Sequence, residues 1–120
     1  MADRVLFISW TQAVRGAEKP ALAAFNEAIG MFGRMQQEGR IESFEVVIMQ
    51  PNNAFGGFML VRGTAEQIAG VRADDEFIRN TINAQLFVEG ICHIEGYIGE
   101  ELARIMGMYQ EAIAGVPQRS

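Results

Sequence analysis

The stretch at 41–77, IESFEVVIMQPNNAFGGFMLVRGTAEQIAGVRADDEF, carries the signals that decide the fold. Residues from Ile41 to Gln50 favour β-structure, a Pro-Asn-Asn turn follows them, and residues from Phe55 to Arg62 form a second β-favouring run, which together predict a β-hairpin. Gly56 and Gly57 precede a strand and not a helix, so a β-bulge or a close backbone approach explains them better than a phosphate-binding loop.

A helix interrupted near its middle is expected after the hairpin. Thr64 and Gln67 have the spacing of a capping box, in which each residue satisfies a backbone N–H group of the other. Asp74, Asp75 and Glu76 then place carboxylates where the positive end of a second helix would attract them. The sequence therefore predicts two short helices in succession.

The segments on either side complete the order of elements. An apolar run from Arg4 to Gln12 predicts a first strand, and Pro20 indicates the start of a helix from Lys19 to Glu38. A long final strand is predicted from Leu86 to Ile98, and a C-terminal helix is predicted over 99–115. The apolar stripes of these two helices are formed by Leu22, Phe25, Ile29, Phe32 and Met35, and by Leu102, Ile105, Met106, Tyr109 and Ile113.

The order β-α-β-β-α-β with an added helix is the split βαβ pattern of ferredoxin-like α+β domains. At 120 residues the chain has the length of one such domain, so 1–120 is predicted to be a single domain with a tail at 116–120. In this arrangement two helices cover one face of a four-stranded antiparallel sheet.

The alternation of the final strand indicates what covers the other face of the sheet. One set of alternate residues is apolar or small and is predicted to face the helices: Leu86, Val88, Gly90, Cys92, Ile94 and Gly96. The other set mixes large apolar with ionisable side chains: Phe87, Glu89, Ile91, His93, Glu95 and Tyr97. Such a mixed face would expose more apolar area than soluble monomers usually tolerate, which predicts a partner subunit.

On these features the chain resembles the dimeric α+β barrel superfamily, in which two ferredoxin-like subunits pack their sheets face to face around enclosed cavities. The resemblance rests on the element order, the hairpin and the segment from Val61 to Phe77. Within this superfamily the chain resembles antibiotic-biosynthesis-monooxygenase-like and stress-responsive proteins. The sequence does not match the catalytic motif of any one branch. The resemblance implies a homodimer, a cavity on the sheet face opposite the helices, and chemistry without a cofactor or a metal ion.

Composition and charge exclude several classes of function. A formal net charge of -5 repels phosphate backbones, so we expect no nucleic-acid partner. The single cysteine, Cys92, cannot form an intrachain disulfide, which favours a reducing, cytoplasmic location. No run of about eighteen apolar residues is present, so the sequence predicts no membrane span.

His93 and Glu95 are the candidate catalytic residues, because side chains two positions apart on a strand share a face. The carboxylate could orient the imidazole as a proton carrier, or both residues could serve a subunit interface. A metal site formed by His93, Glu95 and Glu45 has no paired-ligand spacing to support it. Trp10, Glu45 and Met59 are the candidate ligand-binding residues, whereas Cys92 is expected to be inert in the core.

Two functions therefore remain open from the sequence. The first, which the resemblance implies, is a cofactor-free oxygenase- or isomerase-like enzyme that binds a small apolar or aromatic metabolite, with His93 as its proton carrier. The second is a non-catalytic dimeric binding or stress-associated protein, in which His93 and Glu95 stabilise the interface. The two hypotheses differ in whether a change of His93 abolishes turnover or weakens dimerisation.

Overall fold

The structure is a computed structural model and describes residues 1–117 of the chain. This part of the chain forms six strands and four helices. The strands are β1 (Arg4–Trp10), β2 (Gln12–Ala13), β3 (Ser43–Ile48), β4 (Gly57–Gly63), β5 (Val88–Glu89) and β6 (Cys92–Tyr97). The helices are α1 (Glu18–Gln37), α2 (Ala65–Ala73), α3 (Asp75–Gln85) and α4 (Gly99–Ala114).

The main sheet has four antiparallel strands in the order β3-β4-β1-β6, and it has a ferredoxin-like α+β topology. The predicted hairpin corresponds to β3 and β4, and the predicted interrupted helix corresponds to α2 and α3. The capping box of Thr64 and Gln67 begins α2, and the Asp74 side chain accepts a hydrogen bond from the Phe77 N–H group at the start of α3. The predicted element order is confirmed.

The core lies between the sheet and the helices α1, α2 and α3. Leu6 is fully buried between its neighbours Val61 on β4 and Glu95 on β6. The other large side chains that are almost completely buried are Phe32, Met31, Met35, Ile41, Ile68, Val61 and Val71. We call this side of the sheet the helix face and the opposite side the open face.

The final strand is divided, which the sequence did not indicate. The predicted strand from Leu86 to Ile98 is replaced by a turn after α3, the two-residue strand β5 and the six-residue strand β6. Gly90 has a positive φ of 69°, and a Cβ atom there would lie 2.0 Å from the Thr11 Oγ1 atom. The backbone therefore turns at Gly90, which separates β5 from β6.

The prediction of which β6 residues face the helices was wrong. Register pairs His93 with Ile8 and Glu95 with Leu6, so both ionisable residues lie on the helix face. Ile94 is 52% exposed on the open face, and Cys92 is also exposed there instead of lying in the core. Because β6 is an edge strand, its helix-face side chains can lie at the rim of the helix layer, where charges retain contact with water.

The predicted apolar stripe of α1 is also displaced. Leu22 is 58% exposed, and Phe25 and Ile29 are only partly buried. The stripe that faces the sheet combines small residues in the first half of the helix with large residues in the second half. Its buried members are Ala21, Ala24, Ala28, Met31, Phe32 and Met35.

Gly56 and Gly57 lie where other backbone segments approach closely. A Cβ atom at Gly56 would lie 2.7 Å from the Thr11 carbonyl oxygen, and one at Gly57 would lie 2.5 Å from the Val47 carbonyl oxygen. The added atom at Gly57 would also lie 2.9 Å from the Trp10 ring. The predicted close approach is confirmed, and it lets the indole of Trp10 lie against β4.

The helix α4 occupies the predicted C-terminal position but has no buried residue. The radius of gyration of the chain is 17.2 Å, whereas a compact domain of this length has a radius of about 14 Å. The predicted tail at 116–120 falls largely outside the described residues.

Candidate functional site

A cavity of about 420 Å³ lies on the helix face, between the main sheet and the helices α1 and α3. The sheet contributes Ile8, Trp10, Met59 and His93 to its wall, and most of the remaining wall is apolar. This cavity lies on the other side of the sheet from the open face, where the sequence analysis placed a cavity between two subunits. It occupies the layer that the sequence analysis assigned to solid core.

Small side chains on α1 make room for the cavity. Ala21, Ala24 and Ala28 follow each other at spacings of three and four residues, so they share the side of the helix that faces the sheet. Further along the same side, Met31 and Met35 fill the space and leave a solid core. The change from alanine to larger side chains therefore determines where the cavity ends.

Aromatic rings form two parts of the wall. The Trp10 ring packs edge-on against Phe25, with 5.6 Å between the ring centroids. Phe32 and Phe77 pack against each other at 6.2 Å, and the Phe77 ring also contacts the His93 imidazole at 5.3 Å. Rings have few rotatable bonds, so these parts of the wall are flat and rigid.

His93 is the one histidine of the chain, and its half-buried ring lines the cavity. Burial lowers the pKa of this imidazole below its usual value of 6.5, and the positive charge of Arg72 lowers the pKa further. The neutral form of the ring therefore predominates at pH 7. A neutral imidazole has one nitrogen lone pair, which can accept a proton or a hydrogen bond from a bound molecule.

Glu95 does not act on His93 as the sequence analysis suggested. Its Oε2 atom accepts a hydrogen bond from Arg72 Nη1 on α2 at 2.6 Å, and the two side chains form an ion pair at the rim of the helix layer. Glu95 is not among the residues that line the cavity. The pair instead places the Arg72 guanidinium close enough to His93 to disfavour a protonated ring.

Glu45 lies away from the cavity. Its carboxylate contacts Arg62 on the open face, with 2.5 Å between Oε1 and Nη2. Because Glu45 and His93 lie on opposite faces of the sheet, they cannot bind one metal ion together with Glu95. Within residues 1–117 no three His, Cys, Asp or Glu side chains are grouped so that they could hold a metal ion.

Asn80 on α3 is the buried polar side chain in the cavity wall. Its Nδ2 atom donates a hydrogen bond to the carbonyl oxygen of Ala24 at 3.1 Å, which joins α3 to α1 across the cavity. Thr81 lies one residue further along α3 and donates its hydroxyl proton to the Phe77 carbonyl oxygen. The amide of Asn80 thus fixes the spacing of the two helices that enclose the site.

A small second sheet closes one end of the cavity. Its strands β2 and β5 pair through Gln12 and Glu89, and residues Ala13, Val88 and Ile91 contribute to the wall. The Thr11 N–H group donates to the Glu89 carbonyl oxygen at 2.9 Å, and the Val14 N–H group donates to the Phe87 carbonyl oxygen at 2.8 Å. These bonds hold the segment around Gly90 over the end of the sheet.

Three of the five predicted site residues are brought together: Trp10, Met59 and His93 line one cavity. Glu95 and Glu45 do not line it. Sequence reasoning missed the alanines of α1 and the Asn80 amide. The run of alanines at three- and four-residue spacing was a usable signal, whereas the Asn80 contact with Ala24 joins residues 56 positions apart and has no local signature.

The comparisons with known proteins show the fold and no family. No protein-family model matches the sequence, and no curated protein matches it significantly. Within residues 1–117 every helix is too short or too polar to cross a bilayer.

Three solved structures share the fold at low sequence identity. A dimeric ferredoxin-like protein of unknown function from Jannaschia sp. CCS1 matches with a TM-score of 0.63 and 10% identity, over 79% of this chain and 98% of that chain. A dimeric protein of unknown function from Bacteroides fragilis NCTC 9343 matches with a TM-score of 0.57 and 10% identity, over 79% of this chain and 96% of that chain. SnoaB, a cofactor-independent oxygenase from Streptomyces nogalater, matches with a TM-score of 0.50 and 13% identity, over 82% and 93%. The chain therefore has a ferredoxin-like fold.

The lowered pKa of His93 makes stability depend on pH in a defined direction. Below pH 6.5 the unfolded chain binds a proton at His93 more readily than the folded chain does, so the free energy of unfolding falls as the pH falls from 6.5 towards the lowered pKa. The variant His93→Gln removes this contribution. Between about pH 7 and pH 5, its free energy of unfolding, measured with urea, is expected to fall less than that of the wild type.

The matched control is Ala23→His on the exposed side of α1, which adds a solvated histidine. This control is expected to leave the pH dependence of unfolding close to that of the wild type. An equally steep loss of stability in His93→Gln and in the wild type would contradict the placement of a neutral histidine in the cavity.

Proposed function

We propose that this protein binds a small apolar or aromatic molecule in the cavity between β1, β6, α1 and α3, and acts on it as a cofactor-free oxygenase- or isomerase-like enzyme. The observation that carries the proposal is the position of the His93 imidazole, with its lowered pKa, in the wall of a mostly apolar cavity. Residues with altered pKa values in apolar cavities are typical of functional sites.

The size and the shape of the cavity support the ligand class. A volume of about 420 Å³ lies within the range of about 300–1,000 Å³ that small-molecule sites usually have. The rings of Trp10, Phe25 and Phe77 offer flat walls, and among residues 1–117 Glu18, near the start of α1, is the one acidic or basic residue besides His93 that lines the cavity. A hydroxyl or enol proton on a flat ligand is the group that His93 would contact.

His93 would act as a transient proton acceptor. Its lone pair takes a proton from an acidic O–H or C–H group of the ligand, and the ring becomes an imidazolium. The burial and the Arg72 charge that lower the pKa of His93 also make this imidazolium a stronger acid than a solvated one. The proton is therefore returned readily, either to the product or to water at the cavity mouth.

One observation favours the second, non-catalytic function. Because Glu95 pairs with Arg72, no carboxylate within residues 1–117 is hydrogen-bonded to His93, and that part of the chain supplies no orienting group of the kind that many catalytic histidines have. Under this alternative the protein binds its ligand without converting it, and His93 supplies a hydrogen bond only.

We also propose that the protein is a homodimer in which the second subunit covers the open face. The apolar side chains of that face that are at least partly exposed include Phe7, Val47, Phe58, Leu60 and Ile94. Two solved structures with this fold are described as dimeric, which supports the assembly by analogy. A cytoplasmic location stays a prediction that rests on the single cysteine.

The cavity can be tested with the neutral, planar dye Nile red, whose fluorescence rises in apolar sites. We expect the wild type to bind the dye and Ala84→Trp to weaken binding at least tenfold, because Ala84 lies in the cavity wall and an indole there would fill the space. The control Asn83→Trp adds the same ring at the neighbouring exposed position and should bind as the wild type does. Equal binding by both variants would contradict the site.

The catalytic role can be tested on the molecule that native mass spectrometry finds retained by the purified protein. His93→Gln keeps a polar side chain but cannot accept a proton, so turnover of that molecule should fall by about 10²–10⁴-fold. The same variant should still bind the molecule. Unchanged turnover would exclude His93 from the reaction, and binding without any turnover by the wild type would favour the non-catalytic function.

A further inference from the structure

Helix α4, which we call the arm, projects from the body of the protein. It has 16 residues, and none of them is buried. At 1.5 Å per residue the arm is about 24 Å long, and the chain as a whole extends over 54 × 37 × 22 Å. The arm therefore accounts for the large radius of gyration and leaves its own subunit's open face uncovered.

The arm carries an apolar stripe that its own subunit does not bury. Leu102, Met106 and Tyr109 are 44%, 46% and 61% exposed, and their spacings of four and three residues place them on one side of the helix. Glu111 is exposed on the opposite side of the arm. We call Leu102, Met106 and Tyr109 the arm stripe.

The base of the arm is fixed to the body by charges. Glu101 accepts hydrogen bonds from Arg104 and contacts Arg4 of β1, with 3.6 Å between Oε1 and Nη2. Arg4 also lies over the Tyr97 ring, with 5.1 Å from its Cζ atom to the ring centroid. The direction in which the arm leaves the sheet is therefore fixed. A fixed direction is typical of an element that contacts a defined surface.

The second uncovered apolar surface of the chain is the open face. Ile94 is 52% exposed there, and the Phe7 and Phe58 rings lie 5.1 Å apart between the edge strands. A two-fold symmetric pair of subunits covers both kinds of surface at once, because each subunit supplies an arm and an open face. A single second copy of the chain is therefore sufficient to cover both the arm stripe and the open face.

The area of the arm stripe indicates how much of a dimer interface the arm could supply. The exposed parts of its three side chains amount to about one and a half large side chains, or on the order of 300 Å² per arm. A stable interface buries about 1,200–2,000 Å² in total, counted on both partners. The arm alone is too small to hold a dimer, so it must add to a contact that the open face makes.

We infer that the arm reaches a second copy of this chain and packs Leu102, Met106 and Tyr109 against the rim of that copy's open face. The inference rests on the homodimer proposed above and adds the element that clasps the partner. The solved dimeric structures match over 79% of this chain but over 96–98% of their own lengths. About a fifth of this chain therefore has no counterpart in those two structures.

The contact can be tested by photocrosslinking in the full-length protein. Chains with p-benzoylphenylalanine in place of Met106 are mixed with isotope-labelled wild-type chains, and crosslinked peptides are sequenced by mass spectrometry. We expect labelled–unlabelled crosslinks to peptides of β1 and β6, and none when the probe replaces Glu111. Crosslinks confined to one chain, or their absence from a sample that is dimeric, would overturn the arm contact and leave the dimer standing.

A second variant measures the contribution of the arm to affinity. Met106→Glu would bury a charge in the contact, so sedimentation velocity should show at least a tenfold weaker dimer. Ala103→Glu adds the same charge on an exposed side of the arm away from the stripe and should dimerise as the wild type does. Equal affinity in the two variants would overturn the inference, whereas a monomeric wild type would overturn the dimer itself. Nile red binding reports on the cavity independently of either result.

Discussion

The pairing register of β1 is the constraint on which the rest of the structure depends. Leu6 lies between Val61 and Glu95, and Ile8 lies between Met59 and His93, so one set of alternate residues faces the helices on all three strands. A shift of one residue would move Leu6 to the open face and remove the centre of the core. The same register carries His93 into the layer between the sheet and the helices.

The size of the side chains on α1 converts this layered fold into a site. Ala21, Ala24 and Ala28 leave space above the sheet, whereas Phe32 and Met35 fill it. The Asn80 side chain joins α3 to α1 through the Ala24 carbonyl oxygen, which fixes the spacing of the two helices around the cavity. Packing, not a catalytic motif, therefore places an apolar space beside the one histidine of the chain.

Much of the fold could be predicted from local signals, because the hairpin turn, the capping box of Thr64 and the interruption at Asp74 act within a few residues. The face of β6 could not be predicted from composition, since Cys92 and Ile94 are more apolar than His93 and Glu95 and yet lie on the open face. The Arg72 side chain that pairs with Glu95 comes from α2, 23 residues away. The sequence therefore identified His93 as a candidate site residue but assigned it to the wrong face of the sheet.

The most direct test of this account is an NMR titration of the His93 imidazole, whose resonances are unambiguous because the chain has one histidine. The account predicts a titration midpoint below 6.5 and nuclear Overhauser contacts between the imidazole protons and the Phe77 ring. A midpoint at or above 6.5 together with contacts to open-face residues such as Phe7 would contradict it. His93 would then lie outside the cavity, and the proposed site would lose its functional group.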